Sequence, residues 1–267
     1  MFRETVMAYE TIQVETTACV RTITLNRPDD LNSIDERVTS ELQSELRNVA
    51  KDKSVRCLVL TGAGRAFCAG QDLKSVMERK GPFDFTEALR RRYNPIISAL
   101  KALEIPTLAS INGVAAGAGW SLALGCDLRI ASTKAKFVSA FSKIGLVPDS
   151  GMTWTLPRVV GLSKALEIAW MGDPLSAETA LQLGLVNRLA EPEELAKATA
   201  EWATALAKSA TRGLGLTKRA MYAAMGNDLD TQLEYEAQLQ GVAGRTKDYS
   251  EGVKAFIEKR AAEFIGD

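Results

Sequence analysis

Two backbone-rich segments carry the chemistry this sequence can do. The first segment is Arg65-Ala66-Phe67-Cys68-Ala69-Gly70-Gln71-Asp72-Leu73-Lys74, and the second is Asn112-Gly113-Val114-Ala115-Ala116-Gly117-Ala118-Gly119-Trp120. Small residues allow a ligand to approach the main chain closely. The second segment opens a predicted helix, whose first N–H groups lack intrahelical partners and carry partial positive charge. Two such groups converging on a carbonyl oxygen make an oxyanion hole, where losing one donor costs roughly 3–4 kcal/mol of transition-state stabilisation. By composition alone, both segments read as tight turns with small packing residues. An acid also occurs in the run Val147-Pro148-Asp149-Ser150-Gly151. Aspartate in such a run also forms turns or caps helices.

The sequence contains no histidine. That removes Ser–His and Cys–His nucleophilic pairs and every His-ligated metal site. Proton transfer falls to Asp, Glu, Lys, Tyr, Cys or water. Cys19, Cys57, Cys68 and Cys126 show no C-x-x-C spacing. They read as reduced, mostly small core residues of a cytosolic protein, Cys68 included. Gly62-Ala63-Gly64 suggests a dinucleotide loop, but bulky Phe67 occupies the place of its third glycine. Gly119-Trp120-Ser121 begins like a hydrolase nucleophile elbow, yet Ala123 replaces the closing glycine.

The elements that must position these groups follow from the pattern. Glu10–Glu15 and Val20–Leu25 read as a hairpin turning at Thr16-Thr17. Ser33 and Glu36 have capping-box spacing before a helix with Val38, Leu42, Leu46 and Val49 on one face. Val55–Leu60, Pro106–Ile111 and Leu128–Ser132 are short buried strands. Asn112–Gly119 is a loop entering a helix. An irregular stretch is expected at Lys80-Gly81-Pro82, then a helix carrying Leu89, Tyr93, Ile96, Ile97 and Leu100, with Pro95 as a kink or late first turn. Ser163–Met171 and Ser176–Leu183 are short helices, and 192–264 is almost wholly helical. No sequence repeat is visible.

The chain has 267 residues, 46% apolar and 25% charged, enough for one α/β core. Its 33 basic and 33 acidic residues cancel, giving no global attraction to nucleic acid or an anionic membrane. No apolar run reaches the ~18 residues of a membrane span. Met1–Glu10 lacks the apolar stretch of a signal peptide, so a cytoplasmic location is expected.

The pairing of A-F-C-A-G-Q-D-L with N-G-V-A-A-G-A-G resembles the crotonase (enoyl-CoA hydratase/isomerase) superfamily. The resemblance covers nearly the whole chain, including Asn26-Arg27-Pro28, Cys126-Asp127-Leu128-Arg129-Ile130-Ala131 and Glu251-Gly252-Val253-Lys254-Ala255-Phe256. It implies an α/β fold: a spiral of ββα repeats over residues 1–195, with a helical trimerisation region over 196–267. It also implies trimers often stacked as hexamers, an acyl-CoA substrate, no cofactor beyond that coenzyme A and no metal. By position, the oxyanion donors are the N–H groups of Gln71 and Ala118. Arg65 and Lys74 match positions near the CoA phosphates, and Ala69 matches the residue whose carbonyl reads the adenine. Leu31 lies beside the ligand path, and Arg27, Asp72, Leu73 and Gly117 fall among substrate-binding positions. Phe256 and Lys259, three apart on one helical face, match residues reaching a neighbouring subunit's CoA. Outside this context Arg65, Lys74 and Lys259 are ordinary surface charges.

Hydratases of the family use two glutamates, whose places here hold Ser121 and Phe141. Asp149 matches the acid of family isomerases. The run from Phe137 to Asp149, with Gly213-Leu214-Gly215-Leu216 and Ala243–Tyr249, is similar to the ring-epoxide isomerases of phenylacetate degradation. The resemblance therefore favours an acyl-CoA isomerase with Asp149 as acid and base. A hydratase with an unmatched second acid, and a non-catalytic acyl-CoA-binding or assembly subunit, are the alternatives. A dehalogenase-like reaction would need a histidine. Arg90-Arg91-Arg92 reads as a solvated or intersubunit face, and Trp120 and Trp154 as core or acyl-pocket residues.

Overall fold

A computed structural model describes residues 9–78, 81 and 83–267. Expectations for residues 1–8, Lys80 and Pro82 lie outside them. The chain opens with a hairpin of β1 (Ile12–Thr17) and β2 (Val20–Leu25). Its turn is Ala18-Cys19, not Thr16-Thr17, because Thr16 and Thr17 stay in the ladder opposite Arg21 and Val20. Ala18 and Cys19 both have positive φ, 49° and 64°. A two-residue turn with both φ values positive matches the twist of its strands.

The remaining strands are β3 (Cys57–Gly62), β4 (Ala66–Cys68), β5 (Thr107–Ile111), β6 (Val114–Ala116), β7 (Leu128–Ser132), β8 (Lys136–Val138), β9 (Leu175–Ser176) and β10 (Arg188–Ala190). They divide between a six-stranded sheet, β1-β2-β3-β5-β7-β10, and a four-stranded sheet, β4-β6-β8-β9. Each consecutive pair, β3-β4, β5-β6 and β7-β8, gives its first strand to the large sheet and its second to the small one. Helices follow each pair, so the chain makes three similar ββα turns of a spiral. The expected loop at 112–119 thus contains β6.

The helices are α1 (Glu36–Lys51), α2 (Leu73–Met77), α3 (Phe85–Ala88), α4 (Asn94–Ala102), α5 (Ala118–Gly125), α6 (Met152–Val160), α7 (Leu162–Met171), α8 (Ala177–Gln182), α9 (Leu195–Lys208), α10 (Thr211–Ala224), α11 (Leu229–Ala243) and α12 (Lys247–Glu258). No helix among the described residues is long and apolar enough to cross a membrane. In α1, Val38, Leu42, Leu46 and Val49 are buried, as their spacing predicts. The cap is Asp35, whose side chain accepts the Val38 N–H at 2.8 Å, rather than Ser33. The helix cannot begin earlier, because Ile34 is still bridged in parallel to Gln71.

Before α4 the chain makes a π-helical turn, Leu89–Tyr93, and Pro95 lies in the first turn of α4. Proline brings no N–H to the helix ladder, leaving a carbonyl one turn earlier without its usual donor. The Gln43 side-chain amide donates to the carbonyls of Arg91 and Arg92, both at 2.9 Å. A side chain of α1 thereby fixes the turn. The Trp120 and Phe137 rings pack 5.7 Å apart in the core. On the other face of the large sheet, Leu195, Ala203 and Ala207 of α9 cover Val20, Val59, Leu108 and Ile130. Lys218 and Tyr222 of α10 donate to Asp127 at 2.9 and 3.2 Å, joining the C-terminal helices to this body.

Candidate active site

Three successive turns of the spiral end side by side. In the small sheet Cys68 pairs with Ala115 and Ala116 with Val138, so the C-terminal ends of β4, β6 and β8 adjoin. The residues after them, Ala69-Gly70-Gln71, Gly117-Ala118 and Ala140-Phe141, line one cavity of about 80 Å³. The 83–89 segment, Tyr93 and Asp149 complete its wall.

Glycines set how close these segments come. Gly70 has φ +93°, and a Cβ on it would stand 2.8 Å from the Ala116 carbonyl oxygen and 3.4 Å from the Ala118 nitrogen. A Cβ on Gly119 would stand 2.3 Å from the Cys68 carbonyl oxygen. The two segments therefore meet main chain to main chain, which no larger residue permits. Gly117, at φ 48° and ψ −126°, turns the chain into α5. The N–H groups of Gln71 and Ala118 have no acceptor among the described residues. Ala118 is the first residue of α5, so the positive end of that helix faces the same cavity.

Asp149 approaches from the third turn. Ser150 and Gly151 follow it with φ of 52° and 80°, and α6 starts at Met152. The left-handed conformation of Ser150 costs on the order of 1 kcal/mol. The Asp149 carbonyl accepts the Met152 N–H at 3.0 Å and the Ser121 hydroxyl at 2.9 Å. Ser121, buried in α5, thus ties the helix start to the backbone of Asp149. The Ser150 hydroxyl donates to Asp149 Oδ1 at 2.8 Å. Burial pushes the Asp149 carboxyl up, the Ser150 hydrogen bond opposes this, and the net shift is upward. Removing the hydroxyl in Ser150→Ala should raise it further. If ionised Asp149 is the base, the acid limb of the kcat/KM–pH profile moves to higher pH, which a pH–rate series measures; an unmoved limb contradicts it.

Of the residues singled out in the sequence, Ala69, Gln71, Leu73, Gly117, Ala118 and Asp149 line the cavity. The others do not. Arg27 is enclosed by carboxylates: Asp30 at 2.9 Å, Asp72 at 3.0 Å and Asp35 at 3.3 Å. Asp72 caps α2 by accepting the Ser75 N–H. Burial pushes Asp72 up, but the Ser75 N–H and the Arg27 guanidinium outweigh it and hold the carboxyl below its ordinary value. Leu31 is left-handed, φ 53°, and its carbonyl accepts the Ala69 N–H at 3.0 Å. Arg65 and Lys74 are exposed. Phe256 is 85% exposed on α12. Lys259 does not share a helical face with it, because α12 ends at Glu258 and Lys259 is its left-handed cap.

Trp120 belongs to the core, while Trp154 stacks near Tyr222 and under Arg158 outside the cavity. Arg91 and Arg92 pair with Glu87 and Glu36. Burial pushes the Cys68 thiol up to about 12, so it is no thiolate nucleophile. Among the described residues, no group of three or more His, Cys, Asp or Glu could hold a metal ion. Tyr93 and Ser150 join the site without having been singled out for chemistry. Ser150 sits beside Asp149 in the sequence, which was a usable signal. Tyr93 carried only the pattern of a buried helix face.

The family model described as Enoyl-CoA hydratase/isomerase matches residues 15–267. The 1,2-epoxyphenylacetyl-CoA isomerase of Escherichia coli strain K12 is 48% identical over 249 residues, covering 92% of this chain and 95% of that protein. The (E)-benzylidenesuccinyl-CoA hydratase of Thauera aromatica is 38% identical, covering 96% and 99%. Among solved structures, the enoyl-CoA hydratase from Bacillus anthracis superposes with a TM-score of 0.90 at 33% identity, covering 97% of this chain and all of that one (100%).

Proposed function

The chain belongs to the enoyl-CoA hydratase/isomerase family, and on that premise we propose that it isomerises CoA thioesters, with Asp149 as the single acid and base. One observation carries this reading. A half-buried carboxylate lines the cavity shared by the free N–H groups of Gln71 and Ala118, and the family resemblance puts Ser121 and Phe141 at the places of the two hydratase glutamates. Ser121 spends its hydroxyl on backbone carbonyls, and Phe141 has no proton to give.

The reaction needs one group to move one proton. Ionised Asp149 takes a proton from the carbon between the thioester carbonyl and the 3-enoyl double bond. The C–H electron pair shifts onto the thioester oxygen, and the N–H groups of Gln71 and Ala118 hold the resulting dienolate. Asp149, now protonated, returns the proton to another carbon, and the charge leaves the oxygen. Product and substrate have the same mass. A ring epoxide carried on the acyl group offers the same starting step, and the likeness to the Escherichia coli epoxide isomerase supports it as substrate. Exposed Arg65 and Lys74 are suited to the CoA phosphates. Arg27 and Asp72 would act at one remove, by fixing the chain on either side of Gln71. Exposed Met221, Leu229, Leu233, Phe256 and Ile257 on α10, α11 and α12 suit the 196–267 region to trimer contacts, with Phe256 and Lys259 at a neighbour's CoA. A cytoplasmic location fits such metabolism.

The test offers 3-enoyl-CoA and 2-enoyl-CoA separately and follows ultraviolet absorbance and mass. A mass-neutral shift of the 3-enoyl to the 2-enoyl thioester is the expected result. Gain of one water by 2-enoyl-CoA, with no shift, would make the protein a hydratase.

A further inference from the structure

The side chains around the cavity are mostly apolar, with Leu73, Leu89, Phe141, Ile144 and Leu146 in its wall. Apart from Asp149 and the Gln71 amide, Tyr93 is the one residue there with a polar side chain among the described residues. Its hydroxyl is poorly engaged. It donates to the Ile34 carbonyl at 3.4 Å, the far limit of a hydrogen bond. That carbonyl already accepts the Asp72 N–H at 3.0 Å, so it loses little if the phenol turns away. Tyr93 is 8% exposed, and an underused donor so placed is costly unless a ligand completes it.

The backbone supports the same conclusion. Tyr93 ends the π-helical turn Leu89–Tyr93, and single π-helical turns within helices occur frequently at functional sites. The Gln43 amide bonds to the carbonyls of Arg91 and Arg92 hold that turn in place. Burial, and then the charge of Asp149, push the phenol above its ordinary value, so it remains a proton donor at neutral pH.

We infer that Tyr93 is a specificity-determining residue, whose hydroxyl donates a hydrogen bond to an oxygen carried by the acyl group. Resting on the isomerase reading, this names the substrate class: acyl groups bearing a ring oxygen, such as an aryl epoxide, in preference to plain enoyl chains. A site built to bond a substrate oxygen discriminates through the hydrogen bond that the oxygen-free analogue cannot form. Nothing in this role requires Tyr93 for the proton transfer, which stays with Asp149.

The experiment compares wild type and Tyr93→Phe on 1,2-epoxyphenylacetyl-CoA and on a 3-enoyl-CoA. Phenylalanine keeps the ring, and an unchanged Kd for saturated butyryl-CoA reports an intact thioester site. Expected is a fall of about tenfold in kcat/KM on the epoxide, the measure of one neutral hydrogen bond, with the 3-enoyl rate within about twofold. Equal losses on both substrates, or no loss on either, overturn the inference. Wild type active on the 3-enoyl thioester but inert on the epoxide also overturns it, while leaving the isomerase reading intact. Wild type inert on both refutes the two together.

Discussion

Replacing Asp149 by asparagine should lower kcat for the double-bond shift by about 10²–10⁴-fold, the usual span for losing a positioned acid–base group. KM should stay within a few-fold, because the amide keeps the shape of the carboxyl and the thioester is held elsewhere. A variant running at the wild-type rate would remove Asp149 from the mechanism. The same substitution has a second consequence, of opposite sign. Burial raises the Asp149 carboxyl above its ordinary value. Such a group favours the folded state fully below its unfolded-state pKa, and that advantage disappears as pH rises through the folded-state value. At neutral pH the ionised carboxylate is therefore a burden on the fold. Asp149→Asn should melt at a higher temperature than wild type at neutral pH, and the difference should shrink on acidification. Thermal unfolding at the two pH values measures it. A residue kept for packing would instead lower the Tm when altered.

Gly70→Ala should be nearly as damaging, without touching any group that moves a proton. Its Cβ would stand 2.8 Å from the Ala116 carbonyl oxygen, at a φ of +93° that L side chains rarely adopt. The clash is with main chain, so the two segments must separate. That draws the Gln71 N–H away from the Ala118 N–H, and a fall in kcat of about 10²–10³-fold is expected, the effect of one lost oxyanion donor. Gly184→Ala is the control. It shares the positive φ, +73°, but its Cβ meets only Val159 Cγ1 at 3.8 Å. It should lose about 1 kcal/mol of stability to backbone strain and almost no activity. Steady-state rates and denaturant unfolding on the two variants separate strain from displacement. Equal rates in both would mean that the approach at Gly70 does not set the site.

The longer helices and most of the large sheet, though not its edge strand β10, were legible because their signals are local. Four apolar residues at helical spacing defined α1, and three apolar runs defined β3, β5 and β7. The small sheet was not legible. β4, β6 and β8 have three residues each, too few for alternation to register. They exist because parallel partners from other turns of the spiral complete their ladders. The hairpin turn moved because β1 continued through two threonines with good strand propensity. The cap of α1 moved because Ile34 had a distant partner in Gln71. Helix α6, with Pro157 inside it, gave no local pattern strong enough to predict. For the site, the small-residue segments and Asp149 could be found from composition and family likeness. Tyr93 could be read as a buried helix residue, as it is, but nothing in its spacing assigned it to the cavity.

On the proposed reading, the donors to the thioester oxygen are main-chain N–H groups, those of Gln71 and Ala118. Every codon except those for proline supplies the same amide, so point mutation in a lineage can displace these donors but can scarcely delete them. The side chains around them, Ser121, Phe141 and the proposed acid and base Asp149, are by contrast open to exchange by single substitutions. A side-chain substitution at 121, 141 or 149 would therefore alter proton chemistry at this cavity while leaving the main-chain amides of Gln71 and Ala118 chemically unchanged.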